Sequence, residues 1–411
     1  MFGTKNPHGA YANKLKQAGL ADAVLAKRWF TAAERSLSDS TVVALPYRMV
    51  GYFAADRPEA IGIRFEPKRG QKVRIALEVR PASGAKLFAE LWRVKGDNLK
   101  LLAVIDSTGE MMYEQENNDA LLLRLQPELL VSVSYVVSIF AAPSLAFPVP
   151  GNTGTQIGSF WGEARDSGKR KHEGIDIFDR FRTPVVAVAD GRVTRVNENK
   201  LGGKTVWLNP DGKPYMLYYA HLDSQMVSAM QTVKQGDTLG LMGNTGNARY
   251  TPTHLHFGIY ENGAVDPLPF VQQVKTTPPR LTGDTNRLGN MVRTTMSAFL
   301  LSSPQQKVGG IKLPLHTPLR LRAATGSYYV AELPDETRGF VAVNAIERLP
   351  ASVKIQNLQT DTELLSAPDT LEAVLVNMKA SSQVEIYGMY KDMLYVKYNG
   401  NFGWVKNNTR E

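Results

Sequence analysis

The chain has 411 residues, no cysteine and a formal net charge of +9 at pH 7. That length exceeds what one hydrophobic core supports, so we expect two to four domains. The absence of cysteine excludes disulfides, zinc–thiolate sites and lipid attachment through cysteine. The sequence contains no basic patch interleaved with aromatic residues, which argues against nucleic-acid binding. Two interpretations of the charge stay open: a well-solvated surface, or attraction to an anionic polymer.

The N-terminal residues MFGTKNPHGAY contain no apolar signal core. No apolar run in the sequence approaches the roughly 20 residues of a membrane span. The protein is therefore either cytoplasmic or a trimmed mature form with an added start Met.

Residues 10–37 are predicted to form a helix, because apolar residues recur at spacings of three, four and seven. These residues are Tyr11, Leu15, Ala18, Leu25 and Trp29. We expect residues 1–40 to form a helical arm that packs against a neighbouring domain, with attachment to a membrane surface as the alternative. His8 stands alone near the terminus and is predicted to be incidental rather than a metal ligand.

From residue 41 to residue 146 the apolar period changes to two, as in the run VRIALEV at 73–79. Turn-forming stretches separate such runs, a pattern typical of an antiparallel β-sandwich. The proline-rich stretch at 141–151 marks a boundary, after which we expect a third domain at 147–272 and a linker at 273–287.

The C-terminal part contains an internal repeat with a spacing of 64 to 66 residues. The sequence LLSSP at 300–304 returns as LLSAP at 364–368, and each copy ends in Gly–aromatic–Val. Two β modules of this length, at 288–350 and 351–411, resemble bacterial SH3-like domains. In that family such modules often bind cell-wall peptide or pack on a catalytic domain. Phe340 and Trp404, the aromatic residues of the two endings, are predicted to be core residues of small barrels.

Four of the six histidines fall between residues 172 and 256. His172 precedes Asp176 by four residues, and His254 precedes His256 by two. On a strand, residues at even spacing share one face, so each pair can project from the same surface of a sheet. His221 follows the β-like run Tyr-Tyr-Ala and could reach the same surface.

Imidazole nitrogen and carboxylate oxygen are ligands that zinc accepts, and three such ligands leave one position for a water of lowered pKa. Two further histidines can then accept the proton of that water or stabilise developing charge. Two histidines and a carboxylate also form the facial triad of non-haem iron oxygenases. Hydrolysis is the better interpretation, because an oxygenase would leave His221 and His254 without a role.

This segment resembles the LytM/lysostaphin-type zinc metallopeptidases, which cut peptide crosslinks in peptidoglycan. The resemblance runs from about residue 147 to residue 270 and includes KHEGIDIF, TPVVAVADGRV, YYAHLD, VKQGDTLGLMGNTG and THLHFGIY. It implies a small antiparallel β-sheet that carries a narrow groove. It also implies zinc ligation by His172, Asp176 and His256 and catalytic roles for His221 and His254, whose division of labour stays open.

The chain departs from many members of the family just before the HxH motif, where Pro252-Thr253 replaces Gly-Pro. The change lies in a loop, so it bears on substrate fit more than on activity. Asp223, two residues after His221, could orient a ring or cap a turn.

The function expected from these features is zinc-dependent cleavage of peptide bonds in peptidoglycan stems or crosslinks, regulated by the flanking domains. That function favours a trimmed protein of the bacterial envelope, periplasmic or secreted. The alternative is a non-catalytic protein that binds the cell wall or activates another hydrolase. We expect a mainly β fold with an N-terminal helix.

Overall fold

The structure is a computed structural model that describes residues 6–81, 86–106, 109–151, 156–368 and 373–407. The helices in these ranges are α1 Pro7–Gln17, α2 Val24–Ser38 and α3 Leu268–Val271. Strands account for most of the regular structure, which confirms the predicted mainly β fold class. No helix in the described part of the chain has the length and apolar character needed to cross a bilayer.

The strands are numbered in chain order. The segment 41–146 contains β1 Thr41–Val42, β2 Tyr47–Phe53, β3 Ile61–Phe65, β4 Gln71–Pro81, β5 Leu87–Lys95, β6 Asn98–Asp106, β7 Gly109–Glu114, β8 Ala120–Pro127 and β9 Val133–Pro143. The segment 147–272 contains β10 Ile157–Ser159, β11 Ala164–Arg165, β12 Arg170–Lys171, β13 Ile175–Phe178, β14 Pro184–Val186, β15 Gly191–Asn199, β16 Gly203–Pro210, β17 Met216–Gln225, β18 Thr232–Val233, β19 Thr238–Met242, β20 His254–Tyr260 and β21 Ala264–Val265. The C-terminal part contains β22 Met291–Thr294, β23 Ala298–Leu300, β24 Ile311–Leu313, β25 Pro318–Thr325, β26 Tyr328–Glu332, β27 Arg338–Ala342, β28 Ile346–Glu347, β29 Lys354–Asn357, β30 Thr362–Leu365, β31 Val374–Met378, β32 Gln383–Tyr390, β33 Met393–Tyr398 and β34 Asn401–Lys406.

The predicted helix at 10–37 is two helices, α1 and α2, with a break between them. The break follows from Gly19, whose φ of 73° allows the left-handed conformation that ends many helices. The N–H of Leu20 donates to the carbonyl of Leu15 at 3.0 Å, which closes the last turn of α1. Glycine has no Cβ to oppose this conformation, so the chain reverses here instead of continuing as one helix.

The two helices pack on the sheet that contains β3 and β8. Trp29 is fully buried, and its indole N–H donates to the carbonyl of Pro127 at 2.8 Å. His8 stacks on Trp29 with ring centroids 4.6 Å apart, and its Nε2 lies 2.6 Å from Oε1 of Gln126. Burial lowers the pKa of His8 below its ordinary value. His8 is therefore a packing residue of the helical arm rather than an incidental surface histidine.

Residues 41–146 form two facing sheets in the described ranges. The smaller sheet has the strand order β1-β3-β8-β5-β6, and the larger one runs β27-β26-β25-β2-β9-β4-β7. Alternate residues of β4 point between the sheets, as the period of two predicts: Val73, Ile75 and Leu77 are at most 2% exposed. They share one core with Ile63 and Leu123 of the smaller sheet.

The larger sheet continues into the first C-terminal module, a connection that the sequence did not predict. β25 pairs with β2 through Val50 opposite Ala324 and Gly51 opposite Ala323. Phe340 is fully buried, as predicted, but it lies in the core of the sandwich and not in the core of a separate small barrel. Strands β2, β4, β7 and β9 of the sandwich therefore share a sheet with β25–β27, although the segment 147–272 separates them in the sequence.

The last module has its own sheet, in which the strands of the described part run β29-β32-β33-β34-β30-β31. Trp404 is 4% exposed and packs on Tyr395 at a centroid distance of 5.0 Å, which confirms its predicted place in a core. The likeness of these modules to SH3 domains stays a prediction.

The segment 147–272 forms an antiparallel sheet whose main path is β10-β13-β20-β17-β16-β15-β18. Its core includes Leu145 and Phe147 from the chain that leaves the sandwich. The N–H of Leu145 donates to the carbonyl of Phe270, and the ring of Phe270 lies against Gly70 of the sandwich, where a side chain would clash. The sheet that carries the histidines is thus seated on the sandwich through buried contacts.

Candidate metal centre

Strand pairing brings Asp176 next to His256. The two residues lie opposite each other on β13 and β20, with Ile177 paired to Leu255 beside them. Ile177 and Leu255 are fully buried on the other face of the sheet. The even spacing in the sequence therefore has the predicted consequence: apolar residues form the core beneath, and the polar pair lies above it.

His172 lies just before β13 and completes a group of three potential ligand atoms. His172 Nε2 is 3.0 Å from Asp176 Oδ1 and 3.0 Å from His256 Nδ1, and the last two atoms are also 3.0 Å apart. Three ligands of one tetrahedral zinc ion lie about 3.3 Å apart when each bond is about 2.0–2.1 Å. The spacing of these nitrogen and oxygen atoms is therefore close to what a zinc ion requires.

The hydrogen bonds of His172 show which of its nitrogens is free for a metal. Its Nδ1 lies 2.9 Å from the carbonyl oxygen of Phe160. A carbonyl only accepts, so Nδ1 carries the proton and Nε2 of the neutral ring is an acceptor. The carboxylate of Asp176 is also an acceptor, and two acceptors 3.0 Å apart need a proton or a cation between them. The donor set thus fits a bound cation.

The segment that contains this group matches a known protein family. Residues 170–267 match the model described as Peptidase family M23. The chain contains an M23 peptidase domain. The matched residues include His172 and His256 as well as the two strands that pair Asp176 with His256.

The relatives of the M23 domain include both an endopeptidase and a hydrolase activator. The chain is 34% identical over 140 residues to the L-Ala–D-Glu endopeptidase of Bacillus subtilis, an alignment that covers 31% of this chain and 43% of that protein. It is 35% identical over 103 residues to the murein hydrolase activator NlpD of Salmonella typhimurium, covering 25% of this chain and 26% of NlpD. The chain thus spans less than half the length of either relative.

Among solved structures, the catalytic domain of lysostaphin from Staphylococcus simulans is similar to the M23 domain. The sequence identity is 30%, and the match covers 28% of this chain and 89% of that structure with a TM-score of 0.26.

His221 and His254 of the M23 domain lie beside the three candidate ligands. The ring centroids of His221 and His254 are 4.9 Å apart, and Nε2 of His254 is 4.0 Å from Oδ1 of Asp176. Each ring has its Nδ1 next to a backbone carbonyl, that of Thr245 at 2.9 Å and that of Pro252 at 2.8 Å. By the same donor logic, Nε2 of each neutral ring is a free acceptor.

The backbone at His221 departs from a regular strand. The preceding residue, Ala220, lies opposite His256, so alternation would send the His221 side chain to the core face. His221 instead has a φ of 62°, a left-handed conformation that few non-glycine residues adopt. This turn of the chain places the His221 ring on the same face as His254. Residues with such strained backbones cluster at active sites, which makes His221 a candidate functional residue.

The electrostatic surroundings keep the site ready to receive a cation. Burial, together with neighbouring His254 and His256, lowers the pKa of His221 to about 4, so its ring is neutral at pH 7. Burial likewise lowers the pKa of His256. For Asp176 burial opposes ionisation, but contacts with His172 and His256 outweigh burial and lower its pKa below the usual range. Neutral imidazoles around an ionised carboxylate are the protonation states that metal binding requires.

Gly174 gives the ligands room to approach each other. A Cβ at this position would lie 2.7 Å from ring atoms of His256 and 2.5 Å from the carbonyl oxygen of Phe257. Both distances are below van der Waals contact, so any side chain here would displace the His256 ring. The glycine in the HxGxD pattern therefore has a steric reason.

The sequence suggested that Asp223 could orient the ring of His221, but its carboxylate has a different partner. Its Oδ2 lies 3.2 Å from Nε of Arg182, in a pair that is partly exposed to solvent. The carbonyl of Thr245 holds His221 Nδ1 instead. The sequence did not predict the role of Thr245, because any residue type can supply a backbone carbonyl.

The rims around the M23 site are open to solvent. The carbonyl of Phe160 lies 2.9 Å from Nδ1 of the candidate ligand His172, and the side chains of Phe160 and Trp161 are each 43% exposed. Tyr250, four residues before His254 in the sequence, is 93% exposed. The sandwich and the C-terminal modules therefore leave these aromatic side chains available to a ligand.

Proposed function

We propose that this protein is a zinc-dependent endopeptidase that hydrolyses peptide bonds in bacterial peptidoglycan stems or crosslinks. The observation that carries the proposal is the convergence of His172, Asp176 and His256 with the free Nε2 atoms of His221 and His254. The likeness to an L-Ala–D-Glu endopeptidase supports peptidoglycan as the substrate class.

In this proposal His172, Asp176 and His256 hold the zinc ion through Nε2, Oδ1 and Nδ1. A zinc ion in this position would polarise the scissile carbonyl and lower the pKa of a bound water. His221 and His254 then divide two tasks, accepting the proton of the attacking water and donating a hydrogen bond to the oxyanion. The neutral ring of His221 suits the first task, because a general base must be unprotonated at the working pH.

A second candidate is a non-catalytic activator of another cell-wall hydrolase. The similarity to the murein hydrolase activator NlpD motivates it. The complete set of five site residues and the solvent-exposed rims favour the enzyme. An activator has no need to keep two histidines with free nitrogens beside a metal group.

The proposed substrate places the protein in the bacterial envelope, periplasmic or secreted, with peptidoglycan as its partner. The net charge of +9 fits attraction to an anionic wall, because opposite charges raise the local concentration of a substrate.

Digestion of defined peptidoglycans by the full chain tests the proposal. We expect zinc-loaded protein to release peptide fragments that mass spectrometry identifies. Removing the metal with a chelator should abolish release, and restoring zinc should recover it. His256→Ala should lose both zinc and activity, because one of three ligands is missing.

The same experiment distinguishes the two candidates. Zinc-loaded wild-type protein that leaves peptidoglycans with stem, D-alanyl and glycine-bridge linkages uncut would contradict the enzyme. If His256→Ala also stimulates a partner hydrolase as well as wild type does, the activator is the correct function.

A further inference from the structure

Arg165 reaches the metal group from the side opposite the imidazoles. Its Nη2 donates to Oδ2 of Asp176 at 2.9 Å, while Oδ1 of the same carboxylate faces His172 and His256. The two oxygens of Asp176 therefore have different partners. One faces the candidate metal position, and the other is bound to a guanidinium.

The path of the chain explains how a residue seven positions before His172 comes back to the site. β11 and β12 form a short hairpin in which Arg165 lies opposite Arg170. Ser167, in the turn, has a φ of 57°, and Gly168 has a φ of 89°. The hairpin is held beside the site because the N–H of His172 donates to the carbonyl of Glu163 at 2.8 Å.

The same nitrogen of Arg165 also donates to the hydroxyl of Ser159. That hydroxyl donates to Oε2 of Glu163 at 2.7 Å and lies 3.2 Å from Nδ1 of His172. Arg165 and Ser159 thus contact two of the three candidate ligands on their outer sides. Such outer partners fix the orientation of metal ligands, and replacing one of them commonly weakens metal binding by about 10–100-fold.

We propose that Arg165 is a positioning residue that keeps Asp176 a one-oxygen ligand of the metal. This inference rests on the zinc site of the proposed function. A free carboxylate can turn and bind a metal through both oxygens, which fills an additional coordination position. A guanidinium bound to Oδ2 opposes that turn, so the position needed for water or substrate stays open.

A purely structural ion pair is the competing explanation. The Asp176 side chain is 10% exposed and that of Arg165 is 32% exposed, values that fit either role, so the two explanations differ in what they predict for the metal. A structural pair would affect the stability of the hairpin only. A positioning residue must also change how the metal is bound.

The test compares Arg165→Ala, Arg165→Lys and Lys169→Ala in the full chain, with zinc and cobalt as probes and without substrate. Lys169→Ala is the matched control, because it removes one positive charge from the same hairpin at an exposed residue. Zinc affinity is measured by competition with a chelator. The absorption spectrum of the Co²⁺-loaded protein reports the coordination number.

We expect Arg165→Ala to weaken zinc binding by about 10–100-fold. Its Co²⁺ absorption should become weaker than that of wild type, as the coordination number rises when Asp176 binds through both oxygens. Arg165→Lys should recover only part of the affinity, because the lysine side chain ends one bond earlier and lacks the planar fork. Lys169→Ala should match wild type in both measurements.

The inference is overturned if Arg165→Ala leaves both the zinc affinity and the Co²⁺ spectrum unchanged. Full recovery of the zinc affinity by Arg165→Lys would also overturn it, because a positive charge alone would then be enough. Both measurements are made without hydrolysis. A wild-type protein that binds zinc but cuts no peptidoglycan would therefore contradict the proposed function and leave the role of Arg165 to be decided by these data.

Discussion

Replacing His221 by Ala is expected to lower kcat for the release of peptides from peptidoglycan by about 10²–10⁴-fold, the usual contribution of a general acid or base. The His221 ring lies outside the group formed by His172, Asp176 and His256. Zinc affinity should therefore stay near that of wild type. Turnover of a defined peptide and zinc content, measured on the same preparation, check both expectations.

The unusual backbone of His221 calls for a second variant. Because His221 has a φ of 62°, Ala could act through the backbone instead of through loss of the imidazole. Asn tolerates this conformation better than most residues and cannot act as a base, so His221→Asn should fold well and be as inactive as His221→Ala. An active Asn variant would show that the ring is not the catalytic group. Loss of zinc from both variants would make His221 a ligand.

His221 also shows where sequence reasoning reaches its limit. The even spacing within each motif predicted which residues share a face, and the pairing of Asp176 with His256 agrees with it. The position of His221 depends on a local reversal of φ that breaks the strand alternation. No residue type signals this reversal, since glycine, the usual marker of such a conformation, is absent at that position.

Arg165, Ser159 and Thr245 were missed for a related reason. Motif spacing reveals side chains that lie on one regular element. Arg165 reaches Asp176 from a hairpin of two short strands, and Ser159 reaches His172 from a short edge strand. Thr245 contacts His221 through its backbone carbonyl. Their contacts arise from tertiary folding of short irregular segments, which leave no period in the sequence.

The shared sheet of the flanking regions was hidden for a different reason. The pairing of Val50 with Ala324 joins residues 274 positions apart, with the M23 domain between them. Both strands are alternating β segments that could pair with many others. The sequence therefore predicted two separate domains at 41–146 and 288–350, and only the structure shows that β2 and β25 are neighbours.

Buried charges strengthen this connection. Arg322 of β25 is 6% exposed and pairs with Glu59 of the sandwich and with Glu332 of β26. Arg338 of β27 donates to Glu332 at 2.9 Å and to the carbonyl of Ala60 at 3.1 Å. Burial lowers the pKa of Arg322 to about 10, and Glu332 opposes this shift, so the guanidinium is charged at neutral pH. The group therefore depends on each acidic partner.

Glu332→Ala is expected to lower the free energy of unfolding by about 3–5 kcal/mol, because it leaves Arg322 buried with only part of its compensating charge. Urea denaturation followed by far-UV circular dichroism measures the change. Glu110→Ala is the matched control: Glu110 pairs with Arg74 in the same sheet, but both side chains are about half exposed, so its unfolding midpoint should stay near that of wild type.

The unfolding transition also tests whether the sandwich and the first C-terminal module are one cooperative unit. Trp92 reports on the sandwich, because it lies on β5 and contacts the guanidinium of Arg124 there. Oxidative footprinting measures the urea concentration at which Trp92 becomes exposed. If β2 and β25 unfold together, Glu332→Ala should lower this concentration to the same value as the midpoint of the overall transition. A Trp92 transition that stays at the wild-type urea concentration would show that the shared sheet separates before the sandwich unfolds. A common shift means that residues from both sides of the M23 domain form one cooperative unit, on which the M23 domain packs.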